Sequence, residues 1–136
     1  MAKNFADQIL ELAEEIEYPA TKESSTQVSM AYEFDDGSVQ TVYIEALPDE
    51  DDYGNTVVSI YSSAVKYNKV SWEDLAEALR ASAHYHYGAW AIDTLADGEE
   101  YLMMVDTCTF ETLDADAFQA SVDYVAYYAN EMAKKY

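Results

Sequence analysis

Breaker residues are scarce in this chain: 4 glycines and 2 prolines among 136 residues. So few turn-makers imply regular elements joined by short connections. The glycines are scattered, which excludes a glycine-rich phosphate-cradling loop, and no G-x-S-x-G nucleophile elbow occurs. The single cysteine, Cys108, rules out an intrachain disulfide framework and points to a reducing compartment. Uncharged apolar runs such as Tyr101 to Val105 are far too short to cross a bilayer. The opening Met1-Ala2-Lys3-Asn4-Phe5 has no basic-then-apolar leader, so the expected location is the cytoplasm. Basic residues are few as well, 7 against 27 acidic, for a formal charge of −20. Such a surface repels phosphate backbones and anionic lipid heads, so neither direct nucleic-acid binding nor membrane binding is expected.

Half of the residues are hydrophobic, enough for a real core in one domain spanning residues 1–136. Tyrosine is abundant, with 13 copies. Its apolar ring and water-tolerant hydroxyl suit both core edges and contact surfaces.

The hydrophobic pattern alternates between helix and strand periods. Phe5, Ile9, Leu12 and Ile16 line one face of a helix over about Asn4–Glu17, with Pro19 expected to end it. Val28, Met30, Tyr32 and Phe34 alternate with polar or small residues. Asp35-Asp36-Gly37-Ser38 then reads as a hairpin turn, and a strand returns over 39–46. The acidic stretch 48–54 is a loop, and 56–67 is a third strand rich in Val, Ile, Ser and Tyr. Ser71 caps a second helix whose apolar face is expected at Trp72, Leu75, Ala76, Leu79 and Ala83. A second hairpin joins 89–95 to 100–110 through Ala96-Asp97-Gly98-Glu99. A final helix after Thr112 carries Phe118, Val122, Val125, Ala129 and Met132 on one face. The fold class is α+β: helix, three strands, helix, two strands, helix. The sheet should be mainly antiparallel, with the helices packed on one face.

Catalytic chemistry finds little support. Cys108 sits inside a strand pattern, where a cysteine packs. His84 and His86 are too few to make a zinc site, and the acidic loop lacks the spacing of a calcium loop. No metal, cofactor or catalytic residue is expected, and the chain reads as a non-enzyme.

The segment Glu100-Tyr101-Leu102-Met103-Met104-Val105-Asp106-Thr107, followed by Thr112-Leu113-Asp114-Ala115-Asp116-Ala117-Phe118, resembles the last strand and final helix entry of the type III secretion chaperone-like superfamily. That group holds the class I secretion chaperones and the YbjN-like proteins. The element order, size and low pI are similar throughout. The resemblance implies a homodimer formed through the middle helix and the following strand, here Trp72, Leu75, Leu79, His84, His86, Trp90 and Ile92. It implies that a partner's unfolded segment is held by the first helix and the sheet, here Phe5, Ile9, Leu12, Val28, Met30, Tyr32 and Tyr43. The leading expectation is therefore a homodimeric protein- or peptide-binding module clasping an unfolded or basic segment. The alternative is an acidic nucleic-acid mimic or immunity-type inhibitor of a basic protein. The aromatic run Tyr127-Tyr128 in the last helix should pack on the sheet or offer another contact surface.

Overall fold

A computed structural model describes residues 4–136. Helix α1 (Phe5–Glu15) starts where Asn4 accepts the Asp7 N–H at 2.9 Å, satisfying one of the free donors of its first turn. It stops short of the span expected from the pattern. Glu17 takes the left-handed conformation, φ 63°, and the Tyr18 N–H returns to the Ala13 carbonyl at 2.9 Å. This closure ends the helix, and Pro19 lies beyond it.

Between α1 and the second helix there are four strands rather than three: β1 (Thr21–Lys22), β2 (Gln27–Glu33), β3 (Val39–Ala46) and β4 (Val57–Lys66). The addition is the two-residue β1, too short to show any alternation. Helix α2 (Trp72–Ser82), strands β5 (Ala89–Thr94) and β6 (Glu100–Thr109), and helix α3 (Ala115–Ala133) complete the chain. The strands form one six-stranded sheet in the order β1-β2-β3-β4-β6-β5. Every neighbouring pair is antiparallel.

Register decides which side chains share a face. Val28 pairs with Ile44, Ile44 with Ile60, Ser62 with Met104 and Met104 with Trp90. These residues point together and are buried beneath α3, whose Phe118, Val122, Val125, Ala129 and Met132 are all buried, as their spacing predicts. From α1, Ile9 and Ala13 join this core, and from α2, Leu75 and Ala78. All three helices therefore cover the same side of the sheet.

A polar knot interrupts the core. The Gln40 Nε2 donates to Ser62 Oγ at 2.8 Å, and Ser62 Oγ donates to the Thr41 carbonyl at 2.6 Å. It lies beside the irregularity between Ser63 and Val65, where β4 slips against β6. A buried amide there is tolerated because its hydrogen bonds are made internally.

Candidate functional site

The sheet has two outer edges, and the chain treats them differently. On β5 the Leu95 N–H bonds to Glu99, so alternate groups face β6 while those of Trp90, Ile92 and Thr94 face outward. The Trp90 N–H donates to Ser82 Oγ at 2.9 Å, and the Thr94 N–H to the Asp93 carboxylate at 2.8 Å. Among the described residues, Ile92 alone on this strand keeps an open outward N–H. This edge is blunted, as edges that must not recruit another strand commonly are.

The β2 edge is open. Phe34 and Thr26 bond toward β3, while Gln27 accepts from Glu23 on the outer side. Alternation then turns the backbone groups of Ser29, Ala31 and Glu33 outward. Strand β1 pairs only with Val28 and Ser29. Continued two residues further, the same register would bring Pro19 opposite Ala31, and proline has no N–H to donate. Pairing therefore stops at Ser29, leaving the outward groups of Ala31 and Glu33 without a strand partner among the described residues.

Beside this free edge lies a hollow of about 320 Å³ lined by Tyr18, Pro19, Met30, Ala31, Tyr32 and Glu33. The two tyrosines meet edge to face, ring centres 5.7 Å apart. Both hydroxyls donate to Asp123 Oδ1 on α3, at 2.5 Å from Tyr18 and 3.0 Å from Tyr32. Gln119 donates to the Tyr18 oxygen at 3.2 Å. Burial, and then the Asp123 carboxylate, push the titration of both hydroxyls upward, so they stay protonated donors. The wall is thus apolar in its rings and fixed at its polar ends.

The expected partner-binding residues divide. Ile9, Val28 and Met30 are buried in the chain's own core, because α1 and α3 lie over them. Ile9 and Val28 present no accessible side chain while the domain is folded, and Met30, 3% exposed, reaches only the lining of the hollow. Tyr32 forms its wall. Phe5 packs against Phe110 with ring centres 5.1 Å apart. Leu12 floors a separate groove with Phe110 and Leu113. Tyr43 lies on the uncovered side of the sheet, stacked on Tyr61 at 5.4 Å. Burial, then the nearby Glu45 charge, push Tyr61 up to about 12. Met103 on the same side is only 3% exposed yet stands apart from the helix-covered core.

The residues expected at a dimer interface also divide. Leu75 and Trp90 are buried, and His84 and His86 are exposed. Trp72 is 79% exposed, Leu79 59% and Ile92 41%. The expected apolar face of α2 is in fact two stripes: Leu75 and Ala78 face the core, while Trp72, Ala76 and Leu79 lie to the other side. Cys108 is half-buried, and burial followed by the Asp106 charge pushes its thiol up to about 11, as suits a packing residue.

Pattern reading missed Tyr18, Pro19 and Asp123. Their signals were present: a proline between helix and strand, and an acid in the middle of α3 four residues after Gln119. Of the aromatic run on α3, Tyr127 is 49% exposed, while Tyr128 packs against Tyr85 with ring centres 4.3 Å apart; Tyr124 meets Tyr85 edge to face.

Comparison with solved structures fits this architecture. A chain of the HopA1–SchA chaperone–effector complex superposes with a TM-score of 0.61 at 9% identity, covering 91% of this chain and 88% of that one. A chain of the ExsC–ExsE complex gives 0.60 at 14% identity, covering 96% and 95%. The chain has the secretion chaperone-like fold. YbjN from E. coli shares it too, with a TM-score of 0.61 at 14% identity over 99% of this chain and 96% of that one. No family model matches the sequence, and neither does any curated protein. No helix among the described residues is long and apolar enough to cross a membrane.

Proposed function

We propose that this protein is a cytoplasmic, homodimeric binding module that holds an extended segment of a partner protein along the free edge of β2, and that it works by binding rather than catalysis. The observation that carries this reading is the contrast between edges. The outward groups of Ala31 and Glu33 have no strand partner among the described residues, and an aromatic hollow lies beside them. Strand addition uses both features: main-chain hydrogen bonds supply affinity, and adjacent pockets select side chains. A chaperone–effector complex among the structures of the same fold supports a protein as the partner. The net charge of −20 favours segments carrying lysine or arginine.

Self-association would use α2. Trp72 and Leu79 are exposed with the half-buried Ala76 between them in one stripe, and Arg80 and Glu73 lie beside it. Two copies crossing antiparallel with Ala76 at the centre would set Trp72 against Arg80 of the second copy, and Glu73 near that same Arg80. The small central residue permits close approach, and the pairing repeats by two-fold symmetry.

The test begins with a displayed library of random 16-residue peptides selected on the purified protein. The best binder is then measured against Ala31→Pro. Proline is tolerated at an outward edge position but removes the donor. Binding should weaken at least tenfold in Ala31→Pro while Ile92→Pro, on the opposite edge, binds as the unmodified protein does. Equal binding by Ala31→Pro, with an unchanged circular dichroism spectrum, would contradict the reading.

A further inference from the structure

A second recess lies far from the β2 edge along the sheet order, in the cleft between α2 and α3. It holds about 120 Å³, room for one side chain rather than a peptide. The cleft exists because α2 turns Ala78 and Ala81 toward it, residues with nothing beyond Cβ. Its aromatic walls are Tyr85, Trp90 and Tyr128. They are held in place: the Trp90 indole N–H donates to the Tyr85 oxygen at 3.1 Å, and Tyr124 packs against both Tyr85 and Tyr128.

The rim is charged, and unevenly so. Asp74, Glu77 and Glu131 face a single cation, Lys135. Lys135 lies 3.8 Å from Asp74, which also accepts the Tyr136 hydroxyl. Glu131 is 3.9 Å from Lys134. Glu77 has no hydrogen bond or ion pair among the described residues; the Tyr85 hydroxyl feels its charge, though less than the opposing charge of Lys135. Aromatic faces with an uncommitted carboxylate at the mouth attract a cation, and the field of a strongly acidic protein adds to the attraction. A flat guanidinium suits such a cleft better than an ammonium. It stacks on rings and offers a planar fork to a carboxylate at once.

We infer that the α2–α3 cleft is a binding site for one arginine side chain, with Tyr85, Trp90 and Tyr128 receiving the guanidinium and Glu77 pairing with it. This site is separate from the β2 edge and stands or falls independently of it.

Tryptophan fluorescence gives a direct readout. Trp72→Phe leaves Trp90 as the sole tryptophan, inside the cleft. That protein is titrated with N-acetylarginine amide at constant ionic strength, and in parallel with the citrulline, lysine and tetramethylammonium counterparts. A saturable signal for the arginine compound is expected, at least fivefold weaker for citrulline, which keeps the shape and loses the charge. The lysine and tetramethylammonium compounds should also bind more weakly. Glu77→Gln, an exposed change that cannot unfold the domain, should weaken arginine binding by a similar factor. Tyr128→Leu should do the same. A linear response, one equal for citrulline, or one unaltered by Glu77→Gln would overturn the assignment. Equal binding of tetramethylammonium would overturn the guanidinium part of it.

Discussion

Glu17 holds φ at 63° where the chain leaves α1. A side chain pays for that left-handed conformation, and glycine does not. Glu17→Gly should therefore raise stability by about 0.5–1 kcal/mol, read as a higher urea midpoint. Gly88 is the opposite case. Its φ is +76°, and a Cβ there would stand 2.7 Å from the Val105 carbonyl oxygen. Gly88→Ala must shift the entry to β5 and should cost about 1–3 kcal/mol. In the core, Ser62→Ala strips one of two acceptors from the buried Gln40 amide, leaving the Ser63 carbonyl. A loss of about 1–3 kcal/mol is expected in chemical denaturation. A variant that unfolds at the wild-type midpoint would show that the Gln40–Ser62 knot contributes nothing.

At the scale of elements, the β2–β3 turn is tied to the end of α3. Lys134 pairs with Asp36 at 2.7 Å, and Asn130 donates to Ser38 Oγ at 2.9 Å. The hydrogen bond from Lys134, and then those from Ser38, hold the Asp36 carboxyl well below the usual range. A depressed folded value means that the contribution is present above the unfolded value of about 4 and is lost as pH falls through the folded one. Asp36→Asn should therefore lower the denaturation midpoint at pH 7, and the gap to the unmodified protein should close in acid. A gap constant down to pH about 2 would show that the pair does not couple turn to helix. Helices and hairpins were legible because their periods run unbroken: Phe118 to Met132 on α3, Val28 to Tyr32 on β2. The two stripes of α2 were not, since Trp72, Leu75, Ala76, Ala78 and Leu79 are all apolar and periodicity cannot say which side meets the core. Strand β1 was hidden for a different reason. Thr21 and Lys22 are strand only because β2 is there to pair with, and the stop at Pro19 shows its meaning only once that register is known.

For the whole molecule, one layer of three helices covers one side of the sheet, leaving an exposed α2 stripe and an open β2 edge to carry the proposed interactions. A charge placed in the stripe separates these roles. Leu79→Glu should convert a dimer to a monomer in light scattering at micromolar concentration, with peptide binding at the β2 edge kept within about twofold, since the two sites share no residue. A monomer before mutation would contradict the α2 proposal and leave the edge untouched. The edge itself is tested most directly by backbone amide exchange at single-residue resolution, with and without a saturating selected peptide. The Ala31 and Glu33 amides should exchange fast in the free protein and slow at least tenfold when the peptide is bound, while Ile92 keeps its rate. Protection that spares Ala31 and Glu33, or that falls on β5, would contradict strand addition at β2.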